Sequence, residues 1–99
     1  MSSFGSKQSY DEYYVAFNFS NAIGKDTIAS ATVTAVDDTG ADKTTTVTTA
    51  TKQNIDGPRV NVWVKGGVTG KTYTITCKII TTTNAEKYEL DGDLPVAEV

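Results

Sequence analysis

Residues 59–83 read R-V-N-V-W-V-K-G-G-V-T-G-K-T-Y-T-I-T-C-K-I-I-T-T-T, two strict apolar alternations separated by a glycine-rich break. Successive side chains of an extended strand point to opposite sides, so Val60, Val62 and Val64 share one face and Tyr73, Ile75, Cys77 and Ile79 another. Gly66, Gly67 and Gly70 supply the backbone freedom that a sharp reversal needs. The pattern predicts a β-hairpin with a core face. A chain of 99 residues has room for one domain, which buries roughly 60–65% of the surface its unfolded form exposes.

The remaining segments add strands to that hairpin. Residues 1–9 are serine-rich without apolar periodicity and are expected to form a flexible tail, leaving 10–99 as the domain. Residues 11–20 predict a first strand with Tyr13, Val15, Phe17 and Phe19 on one side, and 27–36 a second with Ala29, Ala31, Val33 and Ala35 opposite Ile28, Ser30, Thr32 and Thr34. Asp37 to Asp42 reads as a reversal, since its spacing does not fit a calcium-loop ladder. Lys43 to Lys52 is nearly all threonine and predicts an edge strand with only Val47 and Ala50 to bury and a lysine at each end. Gln53 to Pro58 reads as a turn. Lys87 to Leu90 opens a last strand with Tyr88 and Leu90 inward, Asp91-Gly92-Asp93 interrupts it, and Leu94, Val96 and Val99 continue it, with Pro95 restricting that piece to a bulge or an edge.

Six to seven short strands, no helix and regular turn signals describe an all-β, antiparallel β-sandwich. Val68-x-Gly70-x-x-Tyr73-x-Ile75 has the form of a tyrosine corner, which points to an immunoglobulin- or fibronectin-III-like sandwich. Trp63 lies on the face opposite Val60, Val62 and Val64, and alternation alone allows either the valines or the indole to face the core.

Composition removes several function classes. Nine basic residues stand against 12 acidic ones, net −3, and Arg59 is the single arginine, so no clustered basic face for nucleic acid is legible. Without histidine the usual proton shuttle is missing, and one cysteine cannot build a thiolate metal site, so no catalytic, metal or cofactor residues are assigned. Cys77 falls on an apolar face and is expected to be a buried, inert thiol. The G-G-V-T-G-K-T run at 66–72 lacks the first glycine of a phosphate loop, Lys65 standing there, and precedes a strand rather than a helix. The first twenty residues hold no apolar core of signal-peptide length, and no run approaches the roughly 20 apolar residues of a membrane span.

Three segments carry a family resemblance: Asp26-Thr27-Ile28-Ala29-Ser30, then Val62-Trp63-Val64-x-Gly66-Gly67-x-x-Gly70-x-x-Tyr73-x-Ile75-Thr76, and Ile79-Ile80 followed by Thr81-Thr82. With an aromatic-acidic opening strand at 11–19 and a Val96-Ala97-Glu98 ending, the chain resembles the fibre-tail adaptor proteins of tailed bacteriophages and prophages over residues 10–99. It departs from them at Val33, where relatives carry tryptophan, and at Asp91-Gly92-Asp93. The resemblance implies a non-catalytic, immunoglobulin-like virion assembly part that joins tail or neck to fibre or head components. Its partners are then other virion proteins, with a ring of copies as one arrangement, and its locations the host cytoplasm during assembly and afterwards the virion. The partner contact is expected at Trp63, Lys65 and Lys71, held by a structural corner of Gly66, Gly67, Gly70 and Tyr73. A carbohydrate-binding module using Trp63 with Tyr13 or Tyr14, or a host protein-interaction domain, is the alternative.

Overall fold

The computed structural model describes residues 2–98. Met1 and Val99 lie outside the described residues, and with Val99 the expectation that it continues the last strand. Seven strands, β1 (Ser2–Ser3), β2 (Tyr13–Asn18), β3 (Ile28–Val36), β4 (Asn54–Asp56), β5 (Arg59–Val64), β6 (Thr72–Thr81) and β7 (Lys87–Pro95), build two sheets. The larger has the order β1-β7-β6-β3 and the smaller β2-β5-β4. All pairings are antiparallel except β1 with β7. Between the sheets lie Val15, Phe17, Phe19, Val60, Val62 and Val64 from one side and Tyr73, Ile75, Cys77, Ile79, Leu94 and Val96 from the other.

The two alternating segments of 59–83 thus pack against each other, but not as a hairpin. β5 pairs with β2 and β4, whereas β6 pairs with β3 and β7, so residues 65–71 cross from one sheet to the other. The reason is where the backbone groups go. Lys65 N–H donates to the Val47 carbonyl and Gly70 N–H to that of Val96, so neither extends a β5–β6 ladder. Gly67 has φ 95°, and a Cβ there would meet Val96 at 2.8 Å and Tyr73 at 3.1 Å. Period-two alternation looks the same whether two apolar rows share a sheet or face one another.

Four further expectations are corrected. The threonine-rich stretch is no edge strand: Thr44–Val47 forms a single α-helical turn and Ala50–Lys52 a 3₁₀ turn. Asp42 Oδ1 accepts both the N–H and the hydroxyl of Thr44, and the Thr48 hydroxyl donates to the Thr44 carbonyl, so short polar side chains satisfy the backbone locally. Val47 is fully buried and Ala50 is exposed. The expected turn at 53–58 contains strand β4, which pairs Asp56 with Arg59 around Gly57-Pro58. Ser20–Ile23 makes a second helical turn that buries Ile23. In β3 an irregularity between Ile28 and Ser30 turns Ile28 inward and leaves Ala29 exposed.

The N-terminal segment, expected as a tail, contacts the large sheet. Ser2 and Ser3 pair with Gly92 and Asp93, and Lys7 N–H donates to the Pro95 carbonyl. Phe4 packs edge-on against Phe17 with centroids 5.2 Å apart. Lys7 is 1% exposed, its ammonium donating to the carbonyls of Gln8 at 2.6 Å and Gly66 at 2.7 Å. Burial lowers its pKa, against the pull of Asp11, Glu12 and Glu98.

Asp91-Gly92-Asp93 does not interrupt β7, which stays in register with β6 from Lys87 to Pro95. Gly92 is required because a Cβ there would stand 2.4 Å from the Phe4 ring. Pro95 is tolerated without a bulge because its missing N–H lies on the side away from β6, the side on which its carbonyl meets Lys7. Tyr88 packs against the core, but Leu90, on the same face, is 39% exposed where the opposite sheet fails to cover it.

Gly92→Ala should displace Phe4 and Phe4→Ala remove it, each lowering stability by about 1–3 kcal/mol in urea titrations. The double variant should lose less than the sum; strict additivity would mean that the ring and the glycine do not share one site. The Cys77 thiol, fully buried and pushed up to about 12 by that burial, should react with a disulfide reagent at pH 8 only as fast as the domain unfolds, and rapid labelling of folded protein would contradict this.

Candidate functional site

The fully buried Val60, Val62 and Val64 leave Trp63 pointing out of the sandwich, which decides the orientation that alternation left open. The β2–β5 register sets Tyr14 directly beside it, and the two rings meet edge to face, centroids 4.9 Å apart and planes at 80°. The indole N–H donates to Glu12 Oε1 at 3.1 Å, and Lys52 Nζ lies 3.9 Å from the ring centroid. The Tyr14 hydroxyl donates to the Lys52 carbonyl at 2.9 Å, so the 3₁₀ turn and β2 hold the tryptophan from two sides. Beyond it Asn61 Nδ2 donates to Asn54 Oδ1 at 2.9 Å. The outer face of the small sheet is therefore an aromatic and amide surface with one cation and one carboxylate already engaged.

Of the residues expected at the partner contact, Lys65 is half-buried at the end of β5 and Lys71 is turned elsewhere, its ammonium 3.4 Å from Asp38 Oδ1. Glu12 and Lys52 were not singled out by the sequence. Their roles follow from the strand register and the 3₁₀ turn, and no local motif encodes either. The corner residues do meet: the Tyr73 hydroxyl accepts the Val68 N–H at 2.9 Å, with Gly67 against the Tyr73 ring. Tyr13, the other aromatic considered for stacking, points inward and packs against the core. Among the described residues no three His, Cys, Asp or Glu side chains converge as a metal site, and no helix is long and apolar enough to cross a membrane.

The segments that carry the family resemblance also touch one another. Asp26 Oδ1 accepts the N–H groups of Thr27 and Thr83 and the Thr83 hydroxyl, while Thr27 and Thr82 share a 2.7 Å hydroxyl bond, so the start of β3 is tied to the end of β6. Glu98 Oε1 accepts the Ser9 N–H and hydroxyl and the Thr69 hydroxyl, tying the chain's end to the corner. In the Asp37–Asp42 turn, Asp37 Oδ1 accepts from the Thr39 hydroxyl and from the N–H groups of Thr39 and Ala41.

These hydrogen bonds hold the carboxyl groups of Asp26, Asp37, Asp42 and Glu98 below their ordinary values of 3.8 and 4.5. A carboxylate whose folded pKa is depressed stabilises the fold above its unfolded pKa, and that contribution is lost as pH falls through the folded value. Melting temperature should therefore hold from pH 7 to about 5 and decline below about 4. Glu98→Gln should flatten part of the decline, and an acid limb unchanged in that variant would remove Glu98 from the account.

A protein-family model described as Gp77, podophage GP4 fiber-tail adaptor protein gp77, matches residues 7–90. No curated protein matches the chain. The match spans the opening strand, the sheet crossing with its tyrosine, and the first part of β7, up to Leu90, within the two-sheet frame behind Trp63. On that evidence the chain belongs to the fibre-tail adaptor family of podophages.

Proposed function

We propose that this protein is a non-catalytic virion assembly part that joins tail or neck to fibre or head components through the outer face of the β2-β5-β4 sheet, with Trp63 as its anchor. The observation that carries this reading is the fixed, outward indole. Tyr14, Glu12 and Lys52 set its rotamer before any partner arrives, and a pre-ordered aromatic is the type of residue that dominates protein interfaces. Lys65, two residues on in the chain, flanks the patch, and Lys71 can contribute only by leaving Asp38, an exposed pair worth little. Such a contact needs no cofactor, and neither nucleic acid nor a membrane enters it.

The same geometry disfavours carbohydrate binding. A sugar needs a bare ring face, and here Lys52 Nζ sits over the indole while Tyr14 meets it edge-on. Trp63→Ala, an outward substitution, should still fold, losing about 1–2 kcal/mol with its ring contacts, yet give particles depleted in fibres when it replaces the wild-type protein. Undiminished fibre incorporation would sink the proposal.

A further inference from the structure

We propose that the free edge of β2 is the line along which the adaptor captures its virion partner, by adding an extended segment of that partner as a fourth strand of the small sheet. The inference rests on the adaptor reading above and specifies how the partner binds. Phe19 N–H donates to the Pro58 carbonyl at 2.9 Å, and this fixes the phase of the β2–β5 ladder. In an antiparallel pair, hydrogen-bonded and non-hydrogen-bonded positions alternate, so Tyr13, Val15 and Phe17 exchange bonds with β5. Tyr14, Ala16 and Asn18 then aim their N–H and C=O groups away from it, and among the described residues nothing meets these groups.

The other sheet edges are blunted. β3 has its Ala35 and Ala31 backbone groups occupied by Lys43, Thr44 and Gln53, β1 is two residues long, and β4 is three residues long and ends in Asp56. β2 alone runs six residues with no charge, no proline and no register shift, none of the devices by which an edge is protected from a further strand.

The surroundings define the occupant. Donors and acceptors repeating every second residue are matched by another extended backbone. On the inner side, a cleft lined by Phe4, Ala16, Phe17, Asn18, Leu90 and Asp91 opens beside the edge, with Leu90 39% exposed, so the segment's residues that meet Phe4, Phe17 and Leu90 are apolar. On the outer side it lies beside Tyr14, 47% exposed and continuous with Trp63. Asp11 and Glu12 precede β2, so the end of the segment lying there carries lysine or arginine. A second copy of this chain fits less well: antiparallel self-pairing centred on Ala16 would place Asp11 and Glu12 opposite Asn21 and Ser20, neither of them a cation.

The test uses the full-length protein with the tail, neck, fibre and head-completion proteins of its own phage, each purified separately. Amide exchange should show Tyr14, Ala16 and Asn18 becoming protected when one of them binds. Ala16→Pro removes an N–H that the β5 ladder does not use, so the fold should survive while affinity falls at least tenfold; Ala16→Thr, which keeps the N–H, should bind as wild type. If one protein binds but those amides stay unprotected and Ala16→Pro binds normally, the edge proposal is wrong while the adaptor reading stands. If none of them binds, both fail. Should Ala16→Pro not fold, the amide protection of the wild-type protein decides. Protection of the same amides in the protein alone, with a dimer in sedimentation, would assign the edge to self-association and overturn the proposal.

Discussion

The structure depends on one crossing, the seven residues that carry the chain from the small sheet to the large one. Gly67 leaves room for the Tyr73 ring and Val96, the Tyr73 hydroxyl takes the Val68 N–H, and the Lys7 ammonium takes the Gly66 carbonyl. The Gly66 carbonyl and the Val68 N–H at the inner side of the bend are thereby given partners within the chain, as burial of a reversal requires. With the bend held, the apolar faces of β5 and β6 turn to one interior, which Val62, Val64, Ile75 and Cys77 share. Lys7 is a cation placed where water is scarce, tolerated because backbone carbonyls replace its hydration.

Fixing the sheets in this way separates the residues that build the frame from those that face outward. Asp26, Thr27, Thr82 and Thr83 are committed to one another, and Glu98 to Ser9 and Thr69 beside the corner. The surface proposed for a partner lies apart from them on β2 and β5, where Trp63, Tyr14 and the open edge of β2 adjoin. Trp63 belongs to both descriptions, since the valines on either side of it are core and its own ring is not. A small domain can conserve its interior geometry while changing what its outer sheet presents.

Strand faces were legible wherever alternation was strong: Tyr13 to Phe19, Val60 to Val64 and Tyr73 to Ile79 bury the expected sides. The last strand was harder to read because Gly92 looks like punctuation, and only the Phe4 ring lying on it explains why a glycine continues the ladder. The threonines of 44–49 have high intrinsic strand preference, which lost to side chains that bond their own backbone. Phe4 and Lys7 carried no periodic signal, so a segment that closes the sandwich read as a tail. At the candidate site Trp63 stood out by its rarity, but Glu12 and Lys52 did not, because their partner is reached through register and a 3₁₀ turn.

By itself the sequence determined that this is an all-β domain with no histidine and a single cysteine, and which face of each main strand is apolar. Those properties are local, set by residue type and by a period of two. Tertiary structure alone decided that β5 and β6 belong to different sheets, that Trp63 points outward into the company of Tyr14 and Lys52, and that β2 ends the small sheet with an open edge. Pairing is a relation between segments distant in the chain, and alternation is unchanged by which segment a strand pairs with.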